Sequence, residues 1–383
     1  MTKDIIPQWL LKEISDKQML LIAEKVFDGQ RLNSSDALYL YQSAPLGILA
    51  FLANYVREKK NGKKVLFNHN IHLEPSNICV FNCNFCSYSR LPGKGGWEYS
   101  LDEMLKMVEE KAIEGITEVH IVGGVHPDRN IYFYGELLKR IHALKPNVHI
   151  KAFTAIELDY MIKKAGMTIE QGLSFLKECG LQSIPGGGAE IFDSEIRGKI
   201  CNLKSTAELW LKIHKAAHLQ GLPSNATILY GHIESYEHRI DHLYQLRKLQ
   251  DETGGFNAFI PLKYRNKNNR LSHINEAPVT EDLKNFAISR LFLDNIMHIK
   301  SYWPMLGIPL TQIALSFGVD DVDGTINDTT KIYSMAGSEE QKPVLTTSRI
   351  IEMVLQSNFI PVERDSIYNE IKVYETSFET SIN

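Results

Sequence analysis

The residues of this chain best suited to chemistry are three cysteines that lie within eight positions, Cys79, Cys83 and Cys86. Their spacing is Cys-x3-Cys-x2-Cys, inside the segment NICVFNCNFCSYSR. Cysteine thiolates are the usual protein ligands of iron–sulfur clusters. A cubane cluster contains four irons, so three cysteines leave one iron open to another ligand. The spacing therefore predicts a 4Fe–4S cluster with one open coordination position.

Two other interpretations use the same cysteines, a structural zinc site and a cluster that only carries electrons. Structural zinc usually takes four protein ligands from paired Cys-x2-Cys knuckles, and an electron-carrying cluster usually has a fourth cysteine. The two remaining cysteines, Cys179 and Cys201, each stand alone in helical or loop context. Because isolated buried thiols behave as small hydrophobic side chains, we expect both to be structural. The cluster with an open iron is therefore the favoured interpretation.

The elements that must position this motif are short apolar runs that alternate with longer helical patterns. Capping-box pairs predict helix starts at Ser100 with Glu103, at Thr168 with Gln171 and at Ser205 with Glu208. The predicted strands are 65–73, 118–124, 148–155, 181–191, 224–231, 258–264, 297–303 and 313–319. Strands separated by helices indicate right-handed βαβ units and a parallel sheet. The predicted fold is therefore α/β, a TIM-type (β/α) barrel.

The chain is predicted to have three parts. Residues 1–60 form an N-terminal helical extension, 61–325 form the barrel, and 326–383 form a C-terminal extension. The C-terminal part contains one clear helical pattern, 348–359. The basic stretch 57–64 is interpreted as a solvated turn before the barrel, the usual setting of such a run, and less readily as a nucleic-acid patch.

The composition limits the class of partner and the compartment. Hydrophobic residues make up 44% and charged residues 23% of 383 residues, which is typical of a globular protein. The net charge of −4 implies no strongly basic surface, so nucleic acid is not an expected partner. No apolar run reaches the ~18 residues of a membrane span, and the N-terminus lacks the apolar core of a signal peptide. We expect a cytoplasmic protein with no membrane partner.

Several predicted strands end in polar or glycine-rich sequence, where a barrel carries its active site. GGVHP follows the second strand, GGGAE lies in or after the fourth, GHIE follows the fifth, and GVDDVDGT follows the eighth. Because the carboxyl ends of parallel strands lie at one face of a barrel, these segments should converge on one rim. The cysteine motif follows the first strand and belongs to the same rim.

The chain resembles the radical S-adenosylmethionine superfamily, and within it the branch that contains aminofutalosine synthase, cyclic dehypoxanthine futalosine synthase and the deazaflavin-forming synthases. The matching blocks are NICVFNCNFCSYSR, IVGGVHP, GGGAEIF with IRGKIC, ATILYGHIE, LQDETGGFNAFIPL and LDNIMHIKSYWPMLG. They span about residues 45 to 370. HIKSYW and GVDDVDGT are most similar to aminofutalosine synthase, since the cyclic enzyme typically has Gln in place of Lys300. The cyclic enzyme and a deazaflavin-forming enzyme are the alternatives within the branch, and a non-catalytic iron–sulfur electron carrier is the alternative of another class.

This resemblance implies two cofactors, a [4Fe-4S] cluster and S-adenosyl-L-methionine consumed as a cosubstrate. It implies that the adenosyl radical adds to the vinyl carbon of 3-[(1-carboxyvinyl)oxy]benzoate. Rearrangement through the ring and loss of a carboxylate then give 6-amino-6-deoxyfutalosine, in menaquinone biosynthesis. The implied electron donor is reduced flavodoxin or ferredoxin.

The resemblance also suggests which residues bind the cosubstrate and act in catalysis. The segment Gly123, Gly124 and His126 corresponds to the glycine-rich stretch that meets the methionine amino group. The other suggested cosubstrate residues are Phe85 at adenine, Glu157, Glu190 and Arg197 at ribose or methionine carboxylate, and Asp320 and Asp323. The suggested catalytic residues are Glu190, Arg197, His232 and Lys300.

Each of these residues also has a structural interpretation. The glycines could form a plain turn, Glu190 and Arg197 could be a supporting ion pair, and the aspartates could be ordinary loop residues. Arg is nevertheless well suited to a carboxylate, because its planar fork binds both oxygens. The two substrate carboxylates need cations, and the rim offers His232, Lys263, Arg265, His298 and Lys300.

The cysteine pattern yields a direct prediction. Replacing Cys79, Cys83 or Cys86 with Ala should abolish cluster loading, because a cubane held by three thiolates has no spare protein ligand. Cys179→Ala is the matched control and should load fully. The measurement is the iron and sulfide content of each purified variant after cluster reconstitution. Full iron content in Cys83→Ala would contradict the assignment.

Overall fold

The computed structural model of the protein describes residues 6–112, 115–327, 331–338 and 343–374. Parts of both predicted extensions therefore lie outside the described residues. The helices are α1 (Gln8–Glu13), α2 (Lys17–Phe27), α3 (Ser34–Ser43), α4 (Leu46–Asn61), α5 (Leu101–Lys111), α6 (Ile131–Leu144), α7 (Ala155–Lys164), α8 (Ile169–Glu178), α9 (Ser194–Cys201), α10 (Ala207–Leu219), α11 (Tyr236–Thr253), α12 (Val279–Phe292), α13 (Trp303–Leu306), α14 (Ile308–Ala314), α15 (Ile332–Met335) and α16 (Thr347–Gln356). The strands are β1 (Lys64–Asn68), β2 (Asn70–Leu73), β3 (Glu118–Ile121), β4 (His149–Ala152), β5 (Ser224–Tyr230), β6 (Phe256–Lys263), β7 (His298–Ser301), β8 (Asp321–Val322), β9 (Ile326–Asn327), β10 (Val344–Leu345), β11 (Ile360–Arg364) and β12 (Glu370–Val373).

Parallel strands close into a ring. One sheet has the order β12-β11-β1-β8-β7-β6-β5, and a second has the order β2-β3-β4. Single-residue bridges from Ser183 to Lys151 and from Ile184 to Ser224 join β4 to β5. At the other junction β1 and β2 are consecutive, and β1 pairs with β8. The predicted TIM-type barrel is confirmed.

Three of the predicted strands differ from the structure. The run 65–73 is divided at His69 into β1 and β2. The run 181–191 contributes only the bridges at Ser183 and Ile184. The strand predicted at 313–319 is wrong, because these residues belong to the end of α14 and a following 3-10 turn. A short apolar run has no period that separates a buried helix from a buried strand, and the strand begins at Asp321.

The predicted helix starts are confirmed at two of three positions. Ser100 and Thr168 both form capping boxes with the residue three positions later. The third start is displaced by one residue, since Thr206 caps α10. Ser205 instead donates a hydrogen bond to Asp159, with Oγ 2.6 Å from Oδ2.

The N-terminal helices pack on one side of the barrel. α3 lies against α11, and α4 lies against α12 and the 3-10 turn. Their buried faces are apolar, for example Leu49, Leu52 and Ala53 of α4. Among the described residues, no helix is both long enough and apolar enough to cross a membrane.

The C-terminal segment joins the barrel sheet. β11 pairs in parallel with β1, and β12 pairs antiparallel with β11. Arg364, at the end of β11, is fully buried and lies with Nη2 2.7 Å from Oδ2 of Asp321 in β8. The same oxygen accepts a hydrogen bond from Tyr368 Oη at 2.6 Å. The two domain boundaries, after 60 and after 325, stay predictions.

This buried ion pair predicts how firmly the C-terminal segment is attached. Arg364→Ala should lower the free energy of unfolding by about 3–5 kcal/mol, because it removes the cation at 2.7 Å from the buried Asp321 carboxylate. Only Lys300 then remains, at 3.6 Å, and it is shared with Asp323. Arg349→Ala is the matched control, since Arg349 forms an exposed pair with Glu352 and its loss should change stability by roughly 0–1 kcal/mol. Chemical denaturation of both variants measures the difference. Equal stability of the two variants would contradict this account.

Candidate functional site

A cavity of about 290 Å³ opens at the carboxyl ends of the barrel strands. Its upper wall comes from loops, including Phe85, Cys86, Gly123, Glu190 and Lys204. Its lower wall comes from residues within strands, including His72, His120, Asn225, Thr227 and Ile260. Tyr302 after β7 and Tyr333 of α15 also line it. This is the end of the barrel where such folds carry their chemistry.

Backbone hydrogen bonds hold the cysteine loop in place. Cys79 N–H donates to Arg90 O at 2.8 Å, and Val80 N–H donates to Val125 O at 2.9 Å. At the tip, Asn84 N–H donates to Ile200 O of α9 at 2.8 Å. The first bond closes the loop on itself, and the other two attach it to separate parts of the rim, at Val125 and Ile200.

The three cysteines have surroundings that suit cluster ligands. Cys79 and Cys83 are buried, and Cys86 is half-buried at the cavity wall. The N–H groups of Phe81 and Ser89 lie 3.4 Å from the sulfurs of Cys79 and Cys86, and hydrogen bonds to sulfur tune cluster potentials. Within the described chain, no three His, Cys, Asp or Glu side chains converge on a single-ion site.

The glycines of GGVHP lie directly against the cysteine loop. A Cβ on Gly124 would lie 2.4 Å from Ile78 O, and one on Gly123 would lie 2.9 Å from Ser76 O. The N–H of Gly123 donates to Glu157 Oε1 at 3.1 Å. Burial raises the pKa of Glu157 to about 7, while hydrogen bonds from Thr154 and Gly123 oppose this rise. Glu157 therefore supports the glycine segment from behind.

Glu190 lies at the cavity wall in a strained conformation. Its φ of 51° is in the left-handed region, which non-glycine residues rarely adopt outside functional or tightly constrained sites. Its Oε1 lies 2.6 Å from Lys204 Nζ. The ammonium of Lys204 in turn lies 5.1 Å from the ring centroid of Phe85. An acid, a cation and an aromatic ring thus meet beside the cysteine loop.

Arg197 has different partners from those expected of a carboxylate ligand. Its guanidinium donates to the carbonyl oxygens of Gly188, Ala189 and Ser205 at 2.7–3.1 Å. These carbonyls belong to the segments that carry Glu190 and Lys204. In this structure Arg197 therefore holds the segments that carry Glu190 and Lys204. Its guanidinium N–H groups already donate to backbone carbonyl oxygens.

His232 and His126 are buried in local networks. Nδ1 of His232 lies 3.0 Å from Glu234 Oε2, and its Nε2 lies 3.1 Å from Leu229 O. Burial lowers the pKa of His232, and Glu234 opposes this. Nε2 of His126 lies 3.2 Å from Glu98 Oε2. Neither imidazole is among the cavity-lining residues.

The predicted residues of β7 and β8 lie inside or beneath the barrel. Lys300 Nζ lies 3.3 Å from Asp323 Oδ1 and 3.6 Å from Asp321 Oδ2. Asp320 is fully buried, contacts Arg290, and lies 2.7 Å from His298 Nδ1. Asp320 is thus part of a buried ion network, and the site assigned to it from sequence stays a prediction.

The structure thus brings together only part of the predicted set. Phe85, Cys86, Gly123 and Glu190 line the cavity, as do Lys263 and Arg265. The lining residues that sequence reasoning missed include Lys204, His72, His120 and Tyr333. The sequence did contain a signal for the two histidines. His72 and His120 alternate with apolar neighbours in NIHL and EVHI, as inward-facing strand residues do.

The family comparisons agree with this site. Residues 73–246 match the radical SAM superfamily, and residues 253–377 match the CofH/MqnC C-terminal region. Barrel, cysteine loop and these matches together define the class, a radical SAM enzyme.

Relatives with curated names cover nearly the whole chain. Aminodeoxyfutalosine synthase of Thermus thermophilus is 44% identical over 370 residues, covering 95% of this chain and 99% of the relative. The enzyme of the same name from Streptomyces coelicolor is 40% identical, covering 92% and 94%. Cyclic dehypoxanthine futalosine synthase of Streptomyces coelicolor is 33% identical, covering 95% and 91%. The chain belongs to the aminodeoxyfutalosine synthase family, which confirms the predicted resemblance.

Solved structures show the same fold. Methylornithine synthase superposes with a TM-score of 0.70 at 17% identity, covering 88% of this chain and 96% of that one. The hydrogenase maturase HydG from Carboxydothermus hydrogenoformans superposes with a TM-score of 0.71 at 19% identity, covering 94% and 81%. At these identities the likeness concerns the fold alone.

The contacts of Arg197 predict a positioning role. Arg197→Lys should speed hydrogen exchange at residues 188–191 and lower stability by about 1–3 kcal/mol, since an ammonium cannot reach all these buried carbonyls. Lys199→Ala is the control, because Lys199 on the same helix pairs only with exposed Glu195 among the described residues. Hydrogen-exchange mass spectrometry measures the effect. Unchanged exchange at 188–191 in Arg197→Lys would contradict this role.

Proposed function

We propose that this protein is an aminodeoxyfutalosine synthase of menaquinone biosynthesis. It transfers the 5′-deoxyadenosyl group of S-adenosylmethionine to 3-[(1-carboxyvinyl)oxy]benzoate. Loss of one carboxylate and release of methionine accompany formation of 6-amino-6-deoxyfutalosine. The observation that carries this proposal is the 44% and 40% identity to enzymes of that name over most of the chain, against 33% for a cyclic dehypoxanthine futalosine synthase.

Cys79, Cys83 and Cys86 are the proposed ligands of a [4Fe-4S] cluster. Their burial, the N–H groups directed at two of the sulfurs, and the pattern with no fourth cysteine support this assignment. When bound, the cluster supplies the electron that cleaves the sulfonium of the cosubstrate and the open position that binds its methionine.

The pair of Glu190 and Lys204 is the proposed binding site for polar parts of the cosubstrate. Lys204 suits the methionine carboxylate, because it is the cation that lines the cavity next to the cysteine loop. Glu190 suits a ribose hydroxyl or the amino group, as a buried carboxylate that accepts charge-assisted hydrogen bonds. Phe85, also lining the cavity beside Lys204, suits the adenine ring. Arg197 holds the loop that presents both charged residues.

The glycine segment and its neighbours have supporting roles in this proposal. Gly123 lines the cavity and leaves room for the methionine end of the cosubstrate, while Gly124 allows the close approach to the cysteine loop. Glu157 and His126 fix this segment from outside the cavity. His232 and Asp320 act as parts of the barrel framework, and Lys300 and Asp323 set the charge beneath the cavity.

An acidic one-electron carrier, reduced flavodoxin or ferredoxin, is the proposed electron donor. The cysteine loop reaches the protein surface at Asn84. Two basic residues flank this point, Lys199, whose carbonyl accepts from Asn84 Nδ2 at 2.7 Å, and Arg270, whose N–H donates to Asn84 O at 2.9 Å. Opposite charges on the two surfaces favour rapid association.

The fate of the adenosyl group tests the proposed function. With adenosyl-labelled cosubstrate, the reconstituted enzyme should convert the enol-ether benzoate to labelled 6-amino-6-deoxyfutalosine and release one methionine per product. Cys83→Ala is the inactive control, and anaerobic mass spectrometry is the measurement. Some 5′-deoxyadenosine from uncoupled cleavage is expected in both outcomes. Consumption of dehypoxanthine futalosine alone, with one deoxyadenosine per product, would instead identify the cyclic enzyme.

A further inference from the structure

Two histidines form the floor of the cavity. His72 of β2 and His120 of β3 are directly paired in register, and their ring centroids lie 4.7 Å apart. Each precedes the last residue of its strand, so both lie deeper in the barrel than the loops carrying Phe85 and Cys86. Both line the cavity, with Tyr302 6.3 Å from the ring of His72. The floor and the cysteine loop are thus different walls of one cavity.

The floor contains buried polar atoms without partners. Nε2 of His120 and Oδ2 of Asp323 have no hydrogen-bond partner among the described residues, and neither does Oδ1 of Asn70. Nε2 of His72 lies 3.5 Å from Asp323 Oδ2, within ion-pair distance, and 3.5 Å from Asn70 Nδ2. Buried polar groups in native proteins nearly always have a partner, and each exception calls for an explanation such as a bound ligand or water. His120 is a residue of the cavity lining, although its Nε2 atom is itself buried.

The charges beneath the floor are already paired. Lys151 lies 2.6 Å from Glu118, Lys300 lies 3.3 Å from Asp323, and Arg364 lies 2.7 Å from Asp321. Three cations thus face three carboxylates, and the group is neutral when both imidazoles are neutral. Burial lowers the pKa of His120 to about 3, and the neighbouring His72 adds to this, so His120 is uncharged in the free protein.

The cations in the other cavity walls are paired as well. Among the described lining residues, Lys204 lies 2.6 Å from Glu190, Lys263 lies 2.7 Å from Asp282, and Arg265 lies 3.3 Å from Glu276. A second anion that enters the cavity must therefore break one of these pairs or bind elsewhere. The two imidazoles offer N–H donors, and positive charge when protonated, without breaking any of these pairs.

We propose that His72 and His120 form the subsite that binds the ring carboxylate of the substrate, which makes them specificity-determining residues. This inference rests on the proposed function. The substrate has two carboxylates, and its vinyl end has to approach the adenosyl group near the cysteine loop. The ring carboxylate, at the other end of the molecule, then reaches the floor.

The different fates of the two substrate carboxylates also favour binding of the ring carboxylate at the floor. The carboxylate on the vinyl carbon leaves as carbon dioxide or bicarbonate, so the product no longer carries the negative charge of that group. A cation held on that group would bind the substrate more strongly than the transition state and would slow its loss. Firm polar contacts are better placed on the ring carboxylate, which is retained in the product.

The key variant is His120→Phe, which keeps an aromatic ring at this position and removes both imidazole nitrogens. Because Nε2 of His120 has no partner in the described structure, this change should leave stability equal or higher. It should nevertheless weaken substrate binding at least tenfold. His214→Phe is the control, since the buried His214 bonds to Ser224 Oγ at 2.8 Å and stacks on Trp210, away from the cavity-lining residues. The control should lose stability and keep its affinity.

A substrate analogue shows which carboxylate is bound. Calorimetry is performed anaerobically on the reconstituted full chain with S-adenosylmethionine and no reductant, so that no turnover occurs. The ligands are 3-[(1-carboxyvinyl)oxy]benzoate and 2-phenoxyacrylate, which lacks the ring carboxylate. The wild type should prefer the full substrate at least tenfold, and His120→Phe should lose this preference while binding 2-phenoxyacrylate as the wild type does.

The outcomes separate the two proposals. If wild-type enzyme with reductant does not convert the enol-ether benzoate, the proposed function fails. If the wild type converts it but His120→Phe retains the tenfold preference, the floor subsite is wrong. Equal weakening of both ligands in His120→Phe would also overturn the subsite, because the lost contact would not concern the ring carboxylate.

Discussion

Charges buried inside the barrel have to be neutralised there, and much of the architecture depends on this constraint. Each ion removed from water loses several kcal/mol of hydration, which only a close partner restores. The barrel interior holds Lys151, Lys300 and Arg364 against three carboxylates. One of these cations, Arg364, comes from β11, beyond the barrel in sequence. The C-terminal segment is therefore part of the barrel's electrostatics as well as of its sheet.

The cysteine loop depends on a different kind of constraint, which is steric and carried mainly by backbone. Its amides bond to Val125 and Ile200, and Gly124 has no room for a side chain against Ile78. Such contacts specify where the loop lies while leaving most side-chain identities free. The cysteines are then held by geometry that the barrel rim supplies, and an intact rim is a condition for a correctly spaced set of thiols.

This difference explains what could be predicted from the sequence. The cysteine spacing and the alternation of strands and helices are local patterns, and the predicted cluster and barrel followed from them, while the family followed from the resemblance of the matching segments. The eighth strand was misplaced because the run 313–319 is apolar in a way that suits a buried helix as well as a strand. Arg197 was assigned to a carboxylate because its chemistry suits one, yet its fork is filled by backbone carbonyls. Lys204 carried no motif of its own, and only the folded chain brings it to Glu190.

A more general reason underlies these misses. Polar residues attract notice in a sequence for their chemistry, but a folded chain satisfies most of them with one another, as His232 with Glu234 and Asp320 with Arg290. Binding capacity remains where a buried polar atom lacks a partner, which no sequence pattern shows directly.

The difference between aminofutalosine synthases and the related cyclic enzymes at position 300 fits this view. Where Lys300 is replaced by Gln, as is typical of the cyclic enzymes, an aspartate at position 323 would have no cation beneath it and would repel a carboxylate at the floor. The residue at position 300 and the charge at position 323 are therefore coupled, since removal of Lys300 alone takes the lysine away from the buried Asp323 carboxylate.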